Sequence, residues 1–172
     1  MLAFVTVGST GFDALVSAVF TDEALAALHR KGYTELVVQC GKSTFQFADG
    51  IQNGETQTLR RAGVDIKYWT YKPSLEEEYA KADLVISHAG SGTILDVLRK
   101  GKSMIVVPNP TLLDNHQEEL ATALEEMGYL KAASVEDLPA AIEAFDTSSI
   151  RPFPPFDGSR FARIVDEAMG FL

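Results

Sequence analysis

Three loops of the sequence combine small and polar residues, and each comes directly after a short apolar run. They are residues 8–11 (Gly-Ser-Thr-Gly), 88–93 (His-Ala-Gly-Ser-Gly-Thr) and 109–117. Small residues let the backbone approach a phosphate, and a helix N-terminus presents free N–H groups in a positive field. The first two loops therefore suit a diphosphate, although their glycines could instead serve only to make tight turns. His88 could likewise neighbour a phosphate or simply pack its turn.

Stricter motifs for other chemistries fail at single positions. A dinucleotide-binding fingerprint would need a third glycine where Leu95 stands. The two Gly-Lys-Ser triplets lack the earlier glycine of a P-loop, because Leu36 and Asp96 occupy the required positions. There is no Gly-x-Ser-x-Gly nucleophile elbow and no Asp-x-Asp pair. The three histidines and the single Cys40 have no metal-ligand spacing, so we expect neither a metal nor a cofactor, and Cys40 is predicted to be a small buried residue.

The elements that position the loops alternate between strands and helices. Apolar runs predict five strands, at residues 2–7, 35–40, 64–71, 83–87 and 103–107. Helical spacing marks one helix from Phe12 to Val19 and further helices near 74–82, 92–100, 115–127 and 135–145, the last with a capping box at 134–137. Residues 42–58 are predicted to be a loop with at most a short helix. Strands that are apolar on both faces and separated by helices indicate a Rossmann-like α/β fold, a mostly parallel sheet with helices on both faces. Ligands of such sheets bind at the carboxyl ends of the strands, where the three loops lie.

The C-terminal tail has a different pattern. Residues 146–149 read as a linker, and the prolines of 151–156 keep that segment extended. A final helix is predicted from Ser159 to Met169, with one apolar face formed by Phe161, Ile164, Val165 and Ala168. This helix could fold back on its own sheet, dock on a second chain, or do both. We therefore divide the chain into a domain at 1–145 and a linker with a C-terminal docking helix at 146–172.

Composition sets the broad class. The chain has 172 residues and a formal net charge of −9, which fits one globular domain and disfavours nucleic acid as a partner. It has no apolar run near the length of a membrane span and no recognisable signal peptide. One cysteine fits a reducing compartment. We expect a soluble cytoplasmic domain.

Two segments carry a resemblance to a known family. They are residues 86–96 (Ile-Ser-His-Ala-Gly-Ser-Gly-Thr-Ile-Leu-Asp) and 114–121 (Asp-Asn-His-Gln-Glu-Glu-Leu-Ala). They resemble the C-terminal, donor-binding domain of glycosyltransferase family 28. Within that family the chain is similar to the small soluble subunit of the bipartite UDP-N-acetylglucosamine (UDP-GlcNAc) transferase of dolichol-linked oligosaccharide synthesis. The opening at 4–10, the segment 79–83 and the proline-containing tail extend the resemblance over nearly the whole chain.

The resemblance implies a division of labour between two chains. This chain would be the donor-binding half of a GT-B glycosyltransferase, and a membrane-anchored subunit would hold the lipid-linked GlcNAc acceptor. The C-terminal helix would dock on that subunit and recruit the chain to the cytosolic face of the endoplasmic reticulum. The expected reaction adds the second GlcNAc to dolichyl-diphosphate-GlcNAc, with inversion, without metal, and only when both chains are present.

The resemblance also assigns donor-binding roles. Amides of Gly90, Ser91, Gly92 and Thr93 would hold the diphosphate, helped by Ser9 and Thr10 and with His88 nearby. Asp96 would contact the ribose, backbone near Tyr71 and Lys72 would recognise uracil, and His116 and Gln117 would contact the sugar hydroxyls. His116 could instead be a helix residue facing water, and Asp114 could be only a helix N-cap. The general base is not assigned.

Two other functions stay open at this point. The chain could be a subunit of a bacterial polysaccharide glycosyltransferase that acts on another lipid-linked sugar. It could also be a non-catalytic nucleotide-binding adaptor that has kept the fold. The presence of Gly90, Gly92, His116 and Gln117 counts against the adaptor, and the tail favours the dolichol pathway.

Overall fold

The computed structural model describes residues 1–48, 55–111 and 116–171, and in them seven strands form one sheet in the order β3-β4-β2-β1-β5-β6-β7. All neighbouring strands are parallel except β3, which pairs antiparallel with β4 at the edge. The strands are β1 (Leu2–Thr6), β2 (Glu35–Gln39), β3 (Gln57–Arg61), β4 (Val64–Trp69), β5 (Leu84–His88), β6 (Ser103–Val107) and β7 (Lys131–Ala132). The predicted mostly parallel α/β sheet is confirmed.

Helices cover both faces of this sheet. They are α1 (Asp13–Val19), α2 (Asp22–Arg30), α3 (Glu76–Lys81), α4 (Ser91–Arg99), α5 (His116–Glu126), α6 (Leu138–Ala144) and α7 (Ser159–Met169). Neighbouring strand residues enter different cores: Val5 and Ile86 pack with α1, α2 and α6, whereas Phe4 and Val85 pack with α4. Because side chains alternate along a strand, a sheet covered twice needs apolar residues at successive positions. This is why the strands read as continuous apolar runs.

Several elements differ from the expectations. Residues 57 and 58 belong to β3 rather than to a loop, and α2 and β7 were not predicted. The alternating exposure of β3, with two arginines, is that of a polar edge strand and lacks the apolar run used to find strands. The Ser134–Asp137 pair does exchange two hydrogen bonds, at 2.8 and 3.0 Å, but it closes a turn before α6, which begins at Leu138.

The C-terminal tail contacts the domain through the extended segment before α7, which includes the Phe156 ring at 5.1 Å from the Arg99 guanidinium. The Arg151 N–H donates to Gly128 O at 2.8 Å, and the Phe153 ring lies edge-on to Tyr129 at 5.0 Å between centroids. Beyond this, α7 keeps its apolar face in solvent, with Phe161 72% and Ile164 56% exposed. The alternative in which this helix folds back on its own sheet is therefore wrong for the chain by itself.

Gly41 offers a test of how tightly the loops at the sheet edge pack. It has φ +56°, and an added Cβ would overlap Thr10 O and lie 2.9 Å from Val7 Cγ2. We expect Gly41→Ala to lower the free energy of unfolding by roughly 2–4 kcal/mol, because a left-handed alanine and a backbone clash both cost energy. Urea denaturation measures the loss.

Gly101→Ala is the matched control for this change. Gly101 also has a positive φ, +67°, but its Cβ would meet nothing within 4 Å. In this variant the free energy of unfolding should decrease only by the cost of a left-handed alanine, about 1–2 kcal/mol. Equal losses in the two variants would show that the contact between Gly41 and the 8–11 loop carries no energy.

Candidate functional site

The loops picked out by the sequence lie side by side at the carboxyl edge of the sheet. The strand order β4-β2-β1-β5-β6 places the loop after β4 at one end and the loop after β6 at the other. Between them are residues 8–10 after β1 and 89–93 after β5. Most of the predicted site residues are exposed or half-buried there, so the edge is open to a ligand.

His88 joins the two glycine-containing loops. A Cβ on Gly8 would lie 2.9 Å from His88 Cε1, and a Cβ on Gly90 would overlap His88 Nε2. The imidazole thus fills the space between the loops, and both glycines are required by its presence. Of the two interpretations of His88, the structure supports the one in which it packs the turn.

The protonation of His88 follows from this position. Burial lowers its pKa, and the nearby Thr6 backbone opposes that effect. Its Nδ1 is buried and has no hydrogen-bond partner among the described residues. We infer that His88 is neutral near pH 7 and fills space without contributing positive charge to the phosphate site.

A pH dependence of stability follows. In the unfolded chain His88 becomes protonated below about pH 6.5. In the folded chain its pKa is lower, so the imidazole becomes protonated only at a more acidic pH. The free energy of unfolding should therefore fall as the pH decreases from 6.5 to 5.5, and His88→Asn should flatten that slope. Urea titrations across this range measure it. His29→Asn, on the exposed side of α2, is the control for losing a histidine elsewhere, and an unchanged slope in His88→Asn would contradict the assignment.

The N-terminus of α4 supplies the amides. Within the described chain the N–H groups of Ser91, Gly92 and Thr93 have no protein acceptor, as expected for a first helical turn. The Gly90 N–H differs, since it donates to His88 O at 2.9 Å. In this structure Gly90 therefore shapes the loop, whereas the three amides after it have no acceptor among the described residues.

Ser9 and Thr10 complete this part of the edge. Both are exposed, and the Thr10 hydroxyl donates to Val7 O at 3.1 Å while its carbonyl accepts from the Lys42 N–H. The turn after β2 thus stabilises the loop through this hydrogen bond. Ser9 and the Thr10 hydroxyl oxygen, which can still accept, lie on its outer side.

Asp96 and Thr93 lie on the side of α4 that faces Tyr79. Burial raises the pKa of the Tyr79 phenol, a hydrogen bond with the Thr93 side chain opposes the rise, and the Asp96 charge adds to it. The Thr93 side chain therefore interacts within the fold, and only its amide is directed outward. Asp96 is exposed one turn further along the helix.

The loop after β4 holds Tyr71 and Lys72. Tyr71 is 62% exposed, whereas Lys72 Nζ lies 2.6 Å from Glu78 Oε1 and 3.8 Å from the centre of the Trp69 ring. The lysine side chain is therefore engaged within the fold. What this loop offers a ligand is its backbone and the Tyr71 ring.

His116 and Gln117 begin α5 at the other end of the edge. Gln117 Oε1 accepts from the Asn109 N–H at 3.0 Å, and among the described residues nothing accepts from its Nε2. His116 is exposed. A groove of about 680 Å³ opens beside Gln117 between α5 and α6. The proposed N-cap Asp114 lies outside the described residues.

Gln39 is a residue that the sequence reasoning missed. It is 1% exposed, ends β2, and makes hydrogen bonds to the loops after β1 and β4. The available signal was a polar residue inside the apolar run 36–40, since a buried amide must find partners.

Possible metal ligands do not cluster in the part of the chain described. No group of three or more histidine, cysteine, aspartate or glutamate side chains there could hold a metal ion. Cys40 is buried as predicted, and burial raises its pKa to about 12, so its thiol stays protonated.

The sequence matches a known domain over almost its full length. Residues 2–167 match the glycosyltransferase family 28 C-terminal domain. The chain belongs to this family. Its expected class, a glycosyltransferase of α/β fold, is thereby confirmed.

Three curated relatives share one name. The chain is 36% identical to the UDP-N-acetylglucosamine transferase subunit ALG13 of Cryptococcus neoformans, over 97% of this chain and 96% of that protein. It is 32% identical to the subunit of the same name from Saccharomyces cerevisiae, over 96% of this chain and 95% of that protein. The mouse relative is 42% identical over 74% of this chain, which spans only 10% of that longer protein.

Solved structures support the fold. An NMR solution structure of ALG13 superposes with a TM-score of 0.67 at 27% identity, covering 95% of this chain and 93% of that one. The crystal structure of Acinetobacter baumannii MurG gives a TM-score of 0.61 at 22% identity, over 86% of this chain and 42% of that one. This chain thus corresponds to less than half of the MurG chain. Among the described residues, no helix is long and apolar enough to cross a bilayer.

Proposed function

We propose that this chain is the donor-binding subunit of a two-chain UDP-GlcNAc transferase, which adds the second GlcNAc to dolichyl-diphosphate-GlcNAc. The observation that carries the proposal is the order of the loops along the sheet edge. From β4 to β6 it runs from the exposed Tyr71, through the outward amides of Ser91 and Gly92, to Gln117. This is the order of uracil, diphosphate and sugar in the donor.

The separation of the loops along the sheet edge is consistent with a donor that extends across it. β4 and β6 are four strand spacings apart in the sheet, which is roughly 19 Å at about 4.8 Å per spacing. Asp96 is near enough to Tyr79, in the helix that follows β4, for its charge to raise the pKa of that phenol, and we place the ribose beside it. The relatives named above are UDP-N-acetylglucosamine transferase subunits, which supports the same donor.

The chemistry needed from this half is the stabilisation of a leaving diphosphate. A hydroxyl of the lipid-linked GlcNAc attacks the anomeric carbon of the donor; a new C–O bond forms, the bond to the diphosphate oxygen breaks, and UDP leaves. The hydroxyl proton passes to a general base, which we assign to the partner subunit. Fixed amides at the α4 N-terminus offset the charge that develops on the diphosphate, without metal. Attack from the opposite face inverts the anomeric centre.

The exposed helix of the tail supports the proposal that a second subunit exists. α7 has 11 residues, too few for a stable isolated helix in water, and its apolar face is uncovered in the chain by itself. We propose that this face docks on a membrane-anchored, acceptor-binding subunit. That contact would hold the chain at the cytosolic face of the endoplasmic reticulum.

The test is transfer of radiolabel from UDP-GlcNAc to a lipid-linked GlcNAc acceptor. It compares this chain alone, microsomal membranes depleted of their own soluble subunit, and the two together. We expect chitobiose-lipid product only in the mixture. Product from this chain alone would overturn the two-chain assignment. Absence of both product and UDP-GlcNAc binding would favour an adaptor, and transfer to a different lipid-linked sugar would favour a polysaccharide pathway.

A further inference from the structure

Gln39 lies beneath the candidate donor site and touches two of its loops. It ends β2, the strand between β1 and β4, with Thr6 and Trp69 as its partners in register. At 1% exposure its side chain cannot reach a ligand at the open edge. Any effect it has on the donor must act through the loops.

Its amide group makes four hydrogen bonds. Oε1 accepts from the Thr6 hydroxyl at 2.6 Å and from the Val7 N–H at 3.2 Å. Nε2 donates to Gly8 O and to Thr70 O, each at 2.8 Å. A glutamine amide has two N–H donors and one oxygen with two lone pairs, so this set uses its full capacity. The two carbonyl acceptors also fix which end of the amide is nitrogen.

The bonds connect the loop after β1 with the loop after β4. Gly8 has φ +68°, so the backbone leaves the strand there and its carbonyl needs a partner outside the ladder. Thr6 extends the network, because its hydroxyl oxygen accepts from the Gly8 N–H at 3.1 Å. Thr70 O also accepts from the Gly41 N–H at 3.0 Å, which ties in the turn after β2. Buried, fully satisfied networks of this kind hold the backbone in one arrangement.

We propose that Gln39 is a positioning residue, which sets the distance between the diphosphate loop at 8–10 and the base loop at 70–72. This inference rests on the proposed donor site and extends it to a residue that touches no ligand. With the loops fixed, the donor meets two subsites already at the separation it needs. Without Gln39 the loops can move independently, and a displacement of about 1 Å at such a site lowers reaction rates by up to roughly 10²-fold.

The main variant is Gln39→Glu, which keeps the shape and the two bonds accepted by Oε1. Its second oxygen would face two carbonyl oxygens, Gly8 O and Thr70 O, so the ionised form repels both loops. A protonated carboxyl could donate to one of them. Because burial raises the pKa of a carboxyl, part of the function should return as the pH is lowered. In the assay with subunit-depleted membranes, we expect the donor KM to rise about 10-fold at pH 8, with kcat changed less, and the defect to shrink toward pH 6.

Two further variants separate positioning from simple stability. Thr6→Val removes one link and should give a smaller rise in KM. Val38→Ala is the matched control: it lies in the same strand, is fully buried, and makes no contribution to the network. It should lower Tm while leaving the donor KM unchanged.

A ligand-free readout keeps the inference distinct from the donor assignment. In Gln39→Met, hydrogen exchange at the Val7, Gly8 and Gly41 amides should accelerate together, and in Val38→Ala it should not. Faster exchange with no donor binding by the wild-type chain would refute the donor site but keep the link between the loops. The Gln39 variants could instead show a lower Tm, as Val38→Ala does, with unchanged donor KM and unchanged exchange. That result would show that Gln39 is an ordinary core residue.

Discussion

Replacing Phe161 and Ile164 by aspartate should leave this chain folded and able to bind UDP-GlcNAc, yet unable to support transfer when subunit-depleted membranes are added. Both side chains lie on the exposed apolar face of α7, at 72% and 56% exposure. Burying each against a partner would contribute about 1.5–3 kcal/mol, so losing both should weaken association by at least about 10²-fold. Buried aspartates would add a desolvation cost. Co-sedimentation with the membranes and radiolabel transfer measure the two consequences.

Arg163→Asp is the control for the added charge. Arg163 pairs with Glu167 at 3.0 Å, one turn along on the polar face of the same helix. This variant should still co-sediment and support transfer within about 3-fold of the wild type. Deletion of 151–172 should reproduce the double substitution. Normal association of a folded deletion variant would show that the tail serves only its own domain, through contacts such as those at Gly128, Tyr129 and Arg99.

Changing Gln117 should remove selective recognition of the sugar and spare the nucleotide. Gln117→Glu keeps the oxygen that accepts from the Asn109 N–H, but it replaces the Nε2 donor by a negatively charged oxygen at the proposed sugar site. We expect kcat/KM to fall by about 10²-fold, because a lost donor and added repulsion both act where the sugar and the leaving group lie. In Gln117→Ala, kcat/KM should fall by a similar factor. The free energy of unfolding should also decrease, since the Asn109 N–H then loses its partner.

Binding measurements locate the Gln117 effect. Calorimetry should find UDP affinity in Gln117→Ala within about 2-fold of the wild type, with a larger loss for UDP-GlcNAc. Glu119→Gln, an exposed position on the next part of α5, is the control for changes on this helix. Wild-type kcat/KM in Gln117→Glu would move the sugar away from the start of α5.

The groups that line the edge differ in how they could be found. The glycines at 8 and 90 and the polar pair His116–Gln117 are visible in the sequence, because turns after apolar runs and polar helix starts are local patterns. The family resemblance named the amides of residues 90–93, but it could not show how each is used within the fold. Gly90 was expected to bind phosphate, but its N–H is used by His88 O.

Edge elements were the weakest part of the sequence prediction. β3 alternates partly buried and exposed residues and ends in two arginines, and β7 has only two residues. Neither has the continuous apolar run that marks strands buried on both faces. Each pairs with a single neighbouring strand, at one edge of the sheet.

The sequence by itself determined the doubly covered parallel sheet, the three loops at its carboxyl edge and the apolar face of the last helix. These features follow from the spacing of apolar residues and from glycine turns, which act over a few residues of chain. Only the tertiary structure decided that His88 fills the space between Gly8 and Gly90, that Gln39 ties two loops together, and that α7 is uncovered. Gln39 bonds to residues 31–33 positions away, and His88 lies against a loop 80 positions earlier. Contacts of that separation arise from strand order, which no local pattern contains.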